Sequence, residues 1–243
     1  MARIPALALA LVPVVALSTG CVDFFESLTQ TSGIVNVFAT SHSKPDEEGN
    51  AAERNGPQLI FTNDMGWEVF IDEAYVTTTG VSLVSCEGEQ TEFEMYWGAQ
   101  AENLSETADS EVNGLGGVRA LSGDYCELVV SYGPAEEAPS ANAMGATVFF
   151  TDSAVRGDEH IDFTWRSEVS LDSSVDISRI ELGRPFRINE EQHFAKELTV
   201  SKTYNHFFDG VEFSDELSQA DIDDLVADSL SNKTIAFPGS DVH

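Results

Sequence analysis

The side chains of this chain best suited to holding a soft metal are its five histidines and four methionines. Imidazole from His42, His160, His193 or His206, joined by thioether from Met65, Met95 or Met144, would suit copper. No two histidines stand as His-x-His or His-x-x-x-His, so the fold would have to gather such a site from separate segments. His160 is expected on the outward face of a strand. His206 is expected where a strand ends, just before Phe207-Phe208, and Trp97 follows Tyr96 in an aromatic pair. The plainer alternative is that these histidines are hydrogen-bonded surface residues and that the aromatic pair packs.

Calcium is the second metal candidate. Asp109-Ser110-Glu111-Val112-Asn113-Gly114 places oxygen side chains at alternate positions and then a glycine, as the first half of a calcium loop does. The twelfth position, where a bidentate glutamate belongs, is Ala120, so an acidic surface loop with a glycine turn is the stronger reading. Catalytic machinery is not evident. There is no Gly-x-Ser-x-Gly elbow, phosphate-cradling glycine loop or His-Glu-x-x-His helix. Carboxylate pairs carry little weight among 42 acidic residues. A non-enzymatic protein is expected.

Residues 1–20 hold one basic side chain, Arg3, then the apolar run Ile4–Leu17, and no carboxylate, which is the layout of a secretory signal. The end, Leu17-Ser18-Thr19-Gly20-Cys21, resembles a bacterial lipobox, in which the signal is removed before the cysteine and the thiol receives a lipid. With Val22 rather than an aspartate following, the resemblance implies sorting to the outer membrane. A lipidated Cys21 leaves two cysteines of three. In an oxidising periplasm Cys86 and Cys126 are read as a disulfide, ahead of a two-thiolate metal site. Closing a loop of about 40 residues contributes roughly 4 kcal/mol on the chain-entropy account.

Against 42 acidic side chains stand 12 basic ones, giving a net charge of −30 over 243 residues. Such a surface repels phosphates and anionic headgroups, so nucleic-acid binding and electrostatic membrane association are excluded. Membrane contact is expected only through the lipid on Cys21. The charge is scattered over the chain rather than gathered in a tail, which fits a salty, cation-rich exterior where screening weakens self-repulsion.

Short alternating runs dominate the elements that must position these residues. Trp67, Val69 and Ile71 share one strand face, as do Leu128, Val130 and Tyr132 with Cys126. Ile161, Phe163 and Trp165 point inward with His160, Asp162, Thr164 and Arg166 outward. Phe194, Leu198, Val200 and Tyr204 form another face. Turns are expected at Asn113–Gly117, Gly133-Pro134 and 183–185. One late helix is expected from a Ser214 cap to about Ser231, with Leu217, Ala220, Leu225 and Leu230 as its apolar stripe. The expected architecture is all-β: a single antiparallel β-sandwich with one late α-helix over 33–243, after a signal peptide (1–20) and a tether (21–32).

Several segments taken in order carry a further resemblance. Asn63-Asp64-Met65-Gly66-Trp67 precedes Ala74-Tyr75-Val76 and Cys86; Ser122-Gly123-Asp124-Tyr125-Cys126 and Tyr132-Gly133-Pro134-Ala135 follow; Phe208-Asp209-Gly210-Val211-Glu212-Phe213 stands late. This order resembles the MbnP-like proteins, which include the copper-repressible surface proteins of methane-oxidising bacteria. The resemblance implies a β-rich domain with a Cys–Cys bridge, and copper held by two histidines near an oxidised tryptophan. The chain departs from that pattern around Trp97-Gly98-Ala99-Gln100-Ala101, where relatives tend to carry a histidine. His160, His206 and Trp97 (or Trp67) are the residues left to take those roles. Two readings follow: a lipid-anchored cell-envelope protein, in the outer membrane or periplasm, that binds copper; or a structural or partner-binding surface lipoprotein with no specific metal, its protein partner unknown.

Overall fold

The computed structural model describes residues 31–42, 53–55, 58–104, 112–137, 140–189 and 194–239. The signal, the tether up to residue 30, Cys21, His193 and His243 lie outside the described residues. From Ser32 onward the chain packs as one unit.

The strands run β1 (Ser32–His42), β2 (Glu53–Asn55), β3 (Gln58–Thr62), β4 (Glu68–Ser85), β5 (Gln90–Glu92), β6 (Glu94–Met95), β7 (Gln100–Asn103), β8 (Asn113–Leu121), β9 (Gly123–Tyr132), β10 (Val148–Arg156), β11 (Glu159–Ser167), β12 (Leu171–Asp176), β13 (Phe186–Ile188) and β14 (Lys196–Thr203). A 3-10 turn (Tyr204–Phe208), the helix α1 (Gln219–Lys233) and β15 (Ile235–Pro238) complete the chain. One sheet has the order β15-β14-β1-β8-β6. The other is built around the long strand β4, whose first part pairs with β3 and β10 and whose second part pairs with β9. The result is the expected all-β sandwich with one helix. It is not wholly antiparallel, because β1 runs parallel to β14, Val35 opposite Lys196 through His42 opposite Thr203. The two strands lie far apart in sequence and need no hairpin, so either direction of pairing was open to them.

Alternation is what drives the layers together. Val35 and Val37, Trp67, Val69 and Ile71, Leu128 and Val130, and Leu198 and Val200 all turn inward and are essentially inaccessible. The rings meet at Phe208. Its centroid lies 5.1 Å from Trp165, 5.2 Å from Phe150, 5.6 Å from Phe61 and 5.8 Å from Phe163. Aromatic pairs at such separations add about 0.5–1.5 kcal/mol each beyond the area they bury.

Three local expectations are corrected. The helix begins at Ser218, not Ser214, because Ser218 and Asp221 form a reciprocal capping box: each side chain satisfies the other's backbone N–H. Its buried stripe is Ile222, Val226, Ser229 and Leu230, while Ala220 is exposed. Asn113–Gly117 is not a turn but the start of β8. Its glycines serve close approach: a Cβ at Gly116 would lie 2.5 Å from the Glu94 carbonyl oxygen of the neighbouring β6. Phe194 does not join the inward face of β14; it stands outside the strand and is exposed.

Candidate functional site

Cys86 and Cys126 are joined as a disulfide. β9 carries an extra residue here, since Val84 pairs with Glu127 and Ser85 with Tyr125, leaving Cys126 unpaired in a bulge. That bulge turns Cys126 towards the end of β4, where the Cys86 N–H bonds the Asp124 carbonyl at 3.0 Å.

The proposed metal residues occupy three different elements. His160 lies on the exposed face of β11 with its Nε2 3.0 Å from Asp162 Oδ1. His206 lies in the 3-10 turn with its Nδ1 2.5 Å from Asp209 Oδ2. Trp97 sits in the turn between β6 and β7. No hydrogen bond or ion pair joins these three, and among the described residues no group of three or more His, Cys, Asp and Glu side chains is placed to hold a metal ion. Each histidine is instead seen paired with its own aspartate. At the glycine of the calcium reading, Asn113 and Gly114 pair with Ala39 and Phe38 beside a bulge at Leu115, and Gly114 makes no left-handed turn. Residues 109–111 lie outside the described residues.

What the structure does assemble is the pair of segments 63–67 and 208–213, which are distant in sequence. Asn63 is buried, and its Oδ1 accepts the N–H groups of Met65 (3.1 Å) and Trp67 (2.9 Å) while its Nδ2 donates to the carbonyls of Phe208 (3.2 Å) and Val211 (2.9 Å). Asp64 Oδ1 accepts from the Gly210 N–H at 2.7 Å. The buried Trp67 indole donates to Glu212 Oε1 at 2.8 Å. Arg156 grips the same carboxylate with both terminal nitrogens, at 2.7 and 2.8 Å, and lies over the indole ring at 4.3 Å. The Arg156 hydrogen bonds dominate in holding the Glu212 carboxyl down to about 2, from 4.5. This knot joins two of the segments noted in the sequence, 63–67 and 208–213. Trp67 is locked, with its one polar atom satisfied.

The opposite behaviour belongs to Tyr96 and Trp97. Tyr96 is half exposed but fixed: its N–H bonds the Leu115 carbonyl at 2.9 Å, its hydroxyl bonds Asn36 Oδ1 at 3.1 Å, and its ring lies against Gly114. A Cβ at Gly117 would come within 2.9 Å of the Tyr96 hydroxyl. Beside this anchored ring Trp97 is 82% exposed. Glu87, Glu89, Glu92 and Glu94 of the preceding stretch are exposed, no lysine or arginine occurs in sequence between Arg54 and Arg119, and Arg119 is exposed on β8, two residues beyond Gly117, the partner of Glu94. The field is felt beneath the edge: Tyr125 titrates above its ordinary value, first through burial and then through repulsion by Glu89.

Two further features escaped the sequence reading. A groove of about 440 Å³ between the 210–217 loop and α1 is rimmed by Glu212, Asp215, Asp221, Asp224 and Asp228. Lys202 occupies the next inward position after Leu198 and Val200 on β14, and there meets Glu102 of β7 inside the sandwich. The period-two register of β14 already marked Lys202 as inward. Nothing local marked Glu102 as its partner.

No family model matches the chain, and no curated protein matches it. Among solved structures, MbnP from Methylosinus trichosporium is similar, with 11% identity, 79% of this chain and 80% of that chain covered, and a TM-score of 0.36. So distant a likeness says nothing about ligands.

Proposed function

We propose that this is a lipid-anchored envelope protein whose work is binding rather than catalysis, held to the membrane by a diacylated Cys21 and recognising a cationic protein partner through the Tyr96–Trp97 edge. The observation that carries this reading is Trp97, an exposed tryptophan beside an immobilised tyrosine, in a stretch of chain whose charged side chains are all acidic. Large aromatics on such a fixed support give contact area at little entropic cost, and they dominate binding energy where they are found. The carboxylates of the same stretch favour Lys and Arg on the partner by steering, and the aromatic faces favour them by cation–π contact. The anchor rests on the Leu17–Cys21 segment, and the envelope location on that segment together with the disulfide.

Between the two readings raised by the sequence, the partner-binding one is favoured over copper, because His160 and His206 each face their own carboxylate and neither is joined to Trp97. The test uses the lipidated protein in its native envelope. Affinity purification after mild cross-linking should retain a basic protein with the wild type and lose it with Trp97→Ala, whose fold is intact by circular dichroism. Retention by the variant at wild-type yield would reject this edge as the binding site. Stoichiometric copper in the same purified wild type, lost in His160→Ala or His206→Ala, would restore the copper reading in its place.

A further inference from the structure

The core of the sandwich holds a lysine and a glutamate that nothing in the binding reading uses. Lys202 Nζ lies 2.6 Å from Glu102 Oε2, with the two side chains 1% and 2% exposed. β7 belongs to one sheet through β4 and β14 to the other through β1 and β15, so this contact spans the layers. It is a poor resting place for two ions. Apart from each other, neither Glu102 oxygen nor the Lys202 ammonium has a hydrogen-bond partner among the described residues. Ions taken out of water need such partners to offset their lost hydration. Burial is the largest single influence and pulls the lysine towards its neutral form, but the charges of Glu102 and Tyr132 and the Glu102 contact together hold the ammonium above its ordinary value.

We propose that Lys202 and Glu102 condense to an intramolecular amide, a covalent staple between the two sheets. A proton passes from Nζ to the adjacent carboxylate, giving an amine and a carboxylic acid. The nitrogen lone pair attacks the Glu102 carboxyl carbon and forms the C–N bond. The C–OH bond then breaks, and the hydroxide leaves as water with a hydrogen from the nitrogen. Nothing is oxidised or reduced. The fold supplies what such a reaction lacks in water: reactants fixed in contact, in a site from which solvent is excluded. The product is neutral, with one N–H and one carbonyl in place of two ions. Tyr132, buried on β9 with its hydroxyl 3.0 Å from Thr234 Oγ1, is close enough to Lys202 for their charges to interact and provides an O–H near the reacting pair.

The test is peptide mass spectrometry on the mature wild-type protein, reduced, denatured and digested with trypsin. An amide blocks cleavage after Lys202. The expected product is a branched species in which residues 55–119 are joined to residues 197–233, lighter than the two peptides together by one water molecule. Lys202→Arg should release residues 55–119 as a linear peptide at its full mass. Recovery from the wild type of free 197–202, with 55–119 at full mass, would overturn the proposal. Because the decisive reading is made on the wild type, it does not depend on the variant folding.

Discussion

Trp67 Nε1 donates to Glu212 Oε1 at 2.8 Å across 145 positions of sequence, and the same carboxylate accepts both arms of Arg156. One glutamate thus ties the start of β4 to the end of β10 and to the segment that follows the 3-10 turn. Strong acid should loosen this tie. The folded pKa of Glu212, about 2, lies below its unfolded value, so its contribution is fully present above the unfolded pKa and is lost as pH falls through about 2. Thermal melts between pH 5 and pH 2 should show a steeper loss for the wild type than for Glu212→Gln. Parallel curves would mean that the carboxylate is not held in its charged form.

Asn63 is the other half of the knot, and its loss should be costly. Asn63→Ala leaves two N–H groups and two carbonyls without this buried partner, a destabilisation of about 2–4 kcal/mol. Urea unfolding of the disulfide-intact protein measures it. Phe208→Ala, which empties the centre of the ring cluster, should cost about 3–5 kcal/mol.

Asp152 should give the opposite pH trend to Glu212. It sits where β4 carries the extra residue Asp72, whose N–H it accepts at 2.9 Å, and burial, with repulsion from Asp72 and Glu73, holds its carboxyl well above the ordinary range. A raised folded pKa stabilises below the unfolded pKa, and that stabilisation is lost as pH rises through the folded one. Asp152→Asn, which cannot ionise, should therefore gain stability relative to the wild type as pH increases from 4 to 9. Melting curves across that range check it, and a gap that narrows with pH would contradict it.

The anchor is tested separately. Cys21→Ser should abolish lipid attachment and release the protein from membranes into the soluble periplasmic fraction, while the Cys86–Cys126 bridge still forms. Metabolic labelling with a fatty acid, followed by fractionation, reads both. Unchanged membrane retention in the variant would remove the lipid from the account.

The sandwich and most of its inward faces were legible because period-two alternation is a strong local signal: Trp67, Val69 and Ile71, or Ile161, Phe163 and Trp165, could face only one way. The disulfide followed from counting cysteines. Errors arose where the deciding contact is distant. The glycines of 114–117 look like a turn until β6 is seen lying across them. Ser214 and Ser218 are both plausible caps locally, and Asp221 chooses between them. The segments 63–67 and 208–213 were noticed as a pattern, but only the fold shows that they touch. Lys202 shares the inward parity of Leu198 and Val200, but the partner that makes a charge tolerable there lies a hundred residues away, beyond any local signal.

The central claim is most directly tested at Trp97. A photo-cross-linking amino acid placed at position 97 of the lipidated protein, in intact cells, should give one discrete adduct that carries a basic protein. That adduct should weaken as salt is raised, since the partner is steered by charge. The same probe at Thr164, exposed on β11, serves as the control and should give none. No adduct at 97, or the same products from both positions, would contradict the account.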